Sequence, residues 1–412
     1  MTSLSDLPPE LLADIHGRLS FVDRLAFAAA VAAPSRAAFK PEPPWLVLPG
    51  DTPTRSTLFS VADRRSATVR ASDPATRDYV IIGSSHGLIV TADDRGRMRL
   101  ANPVTGDQVD LPAISTIPFV TDRGDHFDMV MEPFLQIRYS GVEDEPGTCR
   151  QFHADPHGTH TLTADRMRLS LYNKVVLSAS PRDDDDFAAM LLVAGYYGAP
   201  AFATAKGGQW RFAPSRDGVE DAIHRRGKFV SVTYTGVVQE WERDGETFTS
   251  KVVTTAIGDR DDDQRRPHDA PQVSGGGTGW AADDRCQEDQ QVLLAPMGVQ
   301  LQGEARWEDD IGDLAILVGI NSSMCVSTAK HPDLKAGCIY YTDDEMGMAS
   351  VREDARRWWD TGKVSWFNAH DDDDSKRNVG VYSLKDGKLE SLPELGKHLS
   401  WPPPAWFTPC FP

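Results

Sequence analysis

Gly83-Ser84-Ser85-His86-Gly87 is the stretch of this chain that spells a nucleophile motif. It satisfies G-x-S-x-G, in which a strand turns sharply into a helix and lifts a serine oxygen clear of the sheet. The chemistry would be acyl transfer, with Ser85 attacking a carbonyl carbon. A strand-like YVII precedes the motif, but LIVTADD, another strand-like run, follows it. No helix stands ready to stabilise an oxyanion, and no strand–helix alternation elsewhere builds a hydrolase sheet. The segment therefore reads as a turn between two strands, and no residue of the chain is expected to be catalytic.

Metal and phosphate chemistry are equally thin. His153, His157 and His160 lie close together in FHADPHGTHTL, and three imidazoles can hold zinc. Pro156 and Gly158 make the segment a loop, and no fourth ligand is evident. The acidic runs Asp183–Asp186, Asp261–Asp263 and Asp371–Asp374 lack the spaced oxygens and central glycine of a calcium loop. They read as solvated loop tips. The glycine-rich GGGTG at 275–279 has neither the strand nor the helix of a phosphate cradle. The five cysteines, Cys149, Cys286, Cys325, Cys338 and Cys410, are odd in number and form no C-x-x-C pair. Reduced thiols in the cytosol or nucleus are expected, with no metal and no cofactor.

The net charge of −18 repels phosphate backbones and anionic lipid, so nucleic acid and membranes are poor partners. No apolar run reaches the ~18 residues of a membrane span. The opening MTSLSDLPPELLADIHGRL carries early acids and no basic stretch, unlike a secretory signal. Residues 1–40 hold four acids (Asp6, Glu10, Asp14, Asp23) and four bases (Arg18, Arg24, Arg36, Lys40), so the whole deficit lies in 41–412. Pro41, Pro43 and Pro44 mark the same boundary.

In the first forty residues Leu4, Leu7, Leu11, Leu12, Ile15 and Leu19 recur at helical spacing. Asp6 is placed to cap the helix, and Pro8 and Pro9 suit its first turn. Ser20 with Asp23 three residues on predicts a capped second helix running toward Pro34. A third short helix is expected over Ser35 to Phe39. Three such helices cannot build a core of their own. They either cap the main domain or present an apolar face to another protein.

LSDLPPELLADIHGRLS resembles the opening of an F-box, through Leu7, Pro8, Glu10, Leu11, Leu12, Ile15 and Leu19. The resemblance implies that these seven residues bind a Skp-type adaptor of a cullin-based ubiquitin ligase. Family members usually carry a Val-Cys and Trp-Arg element in the third helix. Here VAAPSRAAF supplies Val31 and Arg36 but neither Cys nor Trp, and a tryptophan is a common anchor worth ~2 kcal/mol or more.

From Trp45 onward short β-rich runs alternate with Gly, Asp, Asn and Pro, as hairpins require. Only Val351 to Trp359 has helical character. LANPVTGDQVDLP, VVQEWERDGETF and VGVYSLKDGKLESLP each read as strand, glycine turn, strand, a weak internal repeat. So many strands suit a propeller better than one sandwich, because radial repetition leaves few exposed edges. About 365 residues at roughly 50–60 per blade suggest six or seven blades. Between Ile257 and Val292 strand-forming content nearly vanishes, so a disordered insertion is expected at about 258–291. The terminal WPPPAWFTPCFP is too apolar for a free tail. It is expected to pack on the ring and close it by pairing with an early strand.

PPWLVLP, GSSHGLIV, LANPVTGDQVDLP, LAILVGINSSMCVS, GCIYYTDD and WPPPAWFTPCFP occur in this order. Together they resemble the plant F-box proteins with a C-terminal β-propeller formerly catalogued as a domain of unknown function. The expected fold is mainly β: an F-box-like helical module over 1–40 and a β-propeller over 41–412. The resemblance implies a substrate-recognition subunit of an SCF-type E3 ligase, with the adaptor–cullin complex and an unknown target protein as partners. A protein-binding scaffold with a degenerate F-box is the alternative.

Overall fold

A computed structural model describes residues 7–31, 33–36, 38–40, 42–52, 55–70, 80–93, 95–130, 159–163, 167, 172–181, 186–193, 199–213, 218–233, 237–254, 279–280, 294–295, 311–320, 323–342, 379–395 and 404–409. Three helices open the chain: α1 (Pro9–Arg18), α2 (Phe21–Ala30) and the single turn α3 (Ala33–Arg36). α1 starts at Pro9, with Pro8 at the cap position and no side-chain cap. This corrects the assignment of the cap to Asp6. A proline needs no amide partner in a first turn, so the helix tolerates the missing cap. α2 begins as expected, with Ser20 Oγ accepting from the Asp23 amide and donating to its carboxylate at 2.6 Å. α3 starts two residues before the expected third helix and ends three residues before its expected end at Phe39.

After these helices the described elements are strands, apart from two 3-10 turns at Ile114–Thr116 and Pro393–Leu395. The first sheet holds β1 (Trp45–Thr52), β2 (Arg55–Ser60) and β3 (Arg65–Arg70). The second holds β4 (Val80–Ser85), β5 (Leu88–Ala92), β6 (Met98–Ala101) and β7 (Gln108–Leu111). The third holds β8 (Val120–Asp122), β9 (His126–Val130) and β10 (Thr159–Thr163). The fourth comprises β11 (Tyr172–Leu177), β12 (Ala188–Val193), β13 (Ala201–Thr204) and β14 (Arg211–Phe212). The fifth comprises β15 (Val219–Arg225), β16 (Lys228–Thr233), β17 (Val238–Asp244) and β18 (Thr247–Thr254). A small sheet pairs β19 (Gly279–Trp280) with β20 (Leu294–Ala295), a strand pair that begins inside the span expected to be a disordered insertion. The rest of that span, and Val351 to Trp359, lie outside the described residues. The last sheet runs β22 (Met324–Ser327), β21 (Leu314–Val318), β23 (Cys338–Tyr341), β24 (Gly380–Ser383) and β25 (Leu389–Ser391). Its β21–β23 pairing is parallel, and every other pairing among the described residues is antiparallel.

The internal repeat has a structural meaning. Its three copies are the hairpins β6–β7, β17–β18 and β24–β25, each the last two strands of its sheet. Gly106, Gly245 and Gly387 sit in the turns at φ of 78°, 61° and 66°, where a side chain would be strained.

The sheets stack face to face, so a strand buries both of its faces. In β12, Ala189, Leu191 and Val193 enter one core with β4, β5 and β9. The alternate residues Ala188, Met190 and Leu192 enter another, with Phe229, Trp241 and Phe248 of the fifth sheet. β1 divides likewise, Trp45 and Val47 to one side and Leu46 and Leu48 to the other. This explains why these strands read as continuous apolar runs rather than alternating ones.

The chain's end meets its beginning. β26 (Ala405–Phe407) pairs antiparallel with β1, Leu46 opposite Trp406, as expected for the apolar terminus. Trp406 is fully buried, and its Nε1 donates to the Val318 carbonyl at 3.0 Å. Ser84 Oγ of β4 donates to the Trp406 carbonyl. The closing strand is thus bonded to the first, second and last sheets.

Candidate functional site

The residues expected to meet an adaptor fall into two groups. Leu12 and His16, one turn apart on α1, face inward with Ala28 and Val31 of the α2 end and Phe39. Leu12 is fully buried, so it holds the module together and has no surface to offer a partner. This corrects its assignment to the presented face. A one-residue step along a helix turns a side chain through about 100°, which carries Leu11 to the outside.

Leu7, Leu11 and Ile15 are 37%, 53% and 37% exposed. Leu11 and Ile15, four apart on α1, share one face, and Leu7 precedes that helix by two residues. Val22 of α2 adds a fourth exposed apolar side chain, at 42%. Pro8 and Glu10 are exposed, and Leu19 is half-buried. Glu10 lies in the first turn and Arg18 in the last, signs that suit the helix dipole. Arg18 pairs with Asp14 at 2.8 Å on the exposed surface. The stripe is therefore apolar along its length and charged at its flank. The module it belongs to is fastened to the strands: Phe21 and Leu25 of α2 lie in the main core of the β domain.

The sequence-derived chemical motifs are dispersed. Gly83 to Gly87 form the end of β4 and a two-residue turn that leads into β5 at Leu88, with His86 at φ 52° and Gly87 at φ 71°. Strand follows strand, as the turn reading expects. Gly83 lies so near the Val175 carbonyl of β11 that a Cβ would collide with it. His153 and His157 lie outside the described residues, as do Asp261–Asp263 and Asp371–Asp374. His160 sits in β10. Asp186, half-exposed at its side chain, pairs with Arg243 at 2.9 Å. Among the described residues no three His, Cys, Asp or Glu side chains gather as a metal site would need. Cys325 and Cys338 are buried and not disulfide-bonded, and burial raises the Cys338 pKa above the usual thiol value.

Two polar features had no warning in the composition. Lys174 Nζ of β11 donates to Asp221 Oδ1 of β15 at 2.5 Å, both side chains nearly buried, and the same oxygen accepts from the Ala222 amide. This pair joins the fourth sheet to the fifth. At the surface, Arg64 donates to Glu394 at 2.5 Å and to Glu390 at 3.0 Å, and Lys335 also reaches Glu390. Arg64 leaves the β2–β3 turn at φ 53°, so this network clasps the first sheet to the last. A lone lysine in the apolar NKVVL was the sole hint of the first. The second joins positions more than three hundred residues apart.

No curated protein sequence matches the chain. A structure of apo AztD from Citrobacter koseri is similar over 50% of this chain and 70% of its own, at 10% sequence identity and a TM-score of 0.20. The family model "KIB1-4 beta-propeller" matches residues 58–383. That span runs from β2 to the end of β24 and takes in the repeated hairpins β6–β7 and β17–β18, the stacked sheets and the β4–β5 turn; the chain belongs to the KIB1-4 beta-propeller family.

Proposed function

We propose that this protein is the substrate-recognition subunit of an SCF-type cullin-RING E3 ubiquitin ligase. The outer stripe of α1 binds a Skp-type adaptor, and the propeller, whose seven sheets among the described residues we take as seven blades, holds a target protein. Other subunits carry out the transfer of ubiquitin, and the chain raises the local concentration of the target. Such a complex works in the cytosol or nucleus. The observation that carries this is the split of α1 into two faces. Leu12 and His16 satisfy the module, while Leu7, Leu11 and Ile15 stay open to a partner. The F-box-like opening is what makes that partner an adaptor.

Magnitudes limit what the stripe can do alone. Burying a large aliphatic side chain is worth about 1.5–3 kcal/mol when it starts fully exposed. These four start about half exposed, so together they supply about 2–6 kcal/mol by the same scale. Micromolar binding needs about 8 kcal/mol. The remainder must come from contacts beside the stripe, where family members place a tryptophan and this chain has the one-turn α3 (Ala33–Arg36). That observation favours a second reading, a protein-binding scaffold that no longer recruits the ligase.

The adaptor's affinity for the full chain separates them. Binding at micromolar strength or better, abolished by Leu11→Asp with Ile15→Asp, supports the ligase. No measurable binding by the wild-type chain leaves the scaffold.

A further inference from the structure

The stripe and the propeller are joined through α2, and the joint has two parts. Phe21, the first residue of α2, is 6% exposed and stacks on Trp45 of β1, ring centroids 3.9 Å apart. Leu25, one turn later, enters the same core as Val47, Leu58, Val69 and Val80. The second part is Arg24. Its guanidinium grips Glu42 with two bonds, Nε to Oε1 at 2.5 Å and Nη2 to Oε2 at 2.9 Å. Its remaining nitrogen donates to the Leu19 carbonyl at 3.1 Å. Leu19 ends α1, and Glu42, 4% exposed, stands three residues before β1. One side chain therefore ties the end of α1, the middle of α2 and the entry to the first sheet. A forked pair of this kind sets orientation as well as energy.

We propose that α2 is a rigid joint through which the α1 stripe and the propeller form one cooperative unit, so that a protein seated on the stripe stabilises the propeller and stands at a fixed orientation to it. Phe21 and Arg24 are positioning residues in this scheme. Phe21 is held by the strands and Arg24 by Glu42 and Leu19, and both act on the pose of Leu7, Leu11 and Ile15. A ligand that binds only the folded form stabilises everything that folds with its site, so the coupling is measurable far from α1. Naming the seated protein a Skp-type adaptor rests on the function proposed above; the joint itself does not.

The test follows thermal unfolding of the full chain by hydrogen exchange in peptides from β12 and β16, strands remote from α2. Skp-type adaptor at about a hundred times its dissociation constant should raise their midpoint by a few degrees. Phe21→Ala with Arg24→Ala should still capture the adaptor and lose that rise. If the adaptor is captured by the wild-type chain and β12 and β16 do not shift, the joint is refuted. Should the double variant fail to fold, Arg24→Gln alone must shrink the rise, and an undiminished rise refutes the Arg24 part. If the adaptor does not bind at all, the ligase reading fails and an intramolecular arm decides the joint. Leu12→Ala, which loosens the helical core, should then lower the midpoint of β12 and β16. An unmoved midpoint overturns the inference.

Discussion

Leu11 and Leu12 are neighbours in the chain and opposites in the fold: the first is 53% exposed, the second sealed against Ala28, Val31 and Phe39. Leu11→Asp should therefore leave folding stability within about 0.5 kcal/mol while removing an apolar contact from the stripe. Leu12→Ala should cost about 2–5 kcal/mol of module stability through the cavity it opens. Urea unfolding monitored by the circular dichroism of the helices distinguishes them. Equal losses of stability for the two would contradict the two-faced helix.

Gly83 is a packing requirement. Its missing Cβ makes room for the Val175 carbonyl where β4 crosses β11. Gly83→Ala must push two strands apart, because backbone cannot rotate away as a side chain can. A loss of several kcal/mol or failure to fold is expected. Gly17→Ala is the counterpart, since nothing lies within 4 Å of the added carbon. Near the end of α1 it should stabilise by about 0.5–1 kcal/mol. Thermal midpoints of the two purified variants check the opposite signs.

Trp406 holds the closing strand to its neighbours through Val318, Ser84 and the pairing with Leu46. Trp406→Phe keeps most of the volume and loses the Nε1 bond, leaving the Val318 carbonyl with the Thr342 amide as a remaining partner. A cost of about 1–3 kcal/mol is expected. Trp406→Ala also opens a cavity and should cost about 3–5 kcal/mol. Exchange rates of the β1 and β21 amides should rise in both variants, more in the second; unchanged rates would show that closure does not depend on this side chain.

His16 and His331 predict a pH dependence of one sign. Burial lowers the pKa of His16, with Arg24 adding to the effect and Glu42 opposing it. Burial also lowers that of His331, helped by Lys40 and Lys330 and opposed by Asp333. The unfolded chain then binds protons that the folded chain refuses. Stability is full above the ordinary histidine value of about 6.5 and falls as the pH drops through the lowered folded values. His16→Leu should flatten the acid side of the profile for the α1 peptide, and His331→Leu that for β22 and β23. Hydrogen exchange at pH 7.5 and pH 5.5 reads both, and a profile unchanged by His16→Leu would remove that residue from the cause.

Much of the fold was legible because it rests on local patterns. Glycine turns between β-rich runs announce hairpins, since a positive φ is a demand of the turn itself. The apolar end announced ring closure, because so much tryptophan and phenylalanine must be covered. The apolar stripe of the opening helix was legible in spacings of three and four, yet its inner and outer members were not, as Leu11 and Leu12 are the same residue type one step apart.

What the sequence by itself determined is the two opening helices, the run of short strands with their glycine turns and the propeller family, all written in spacing and turn residues. Only the tertiary structure decided which leucine faces out, that Arg24 ties α1 to the entry of β1, that Lys174 meets Asp221 and that Gly83 must yield to Val175. These depend on groups brought together from distant parts of the chain, and the energy of such a contact exists only once the backbone has placed both partners.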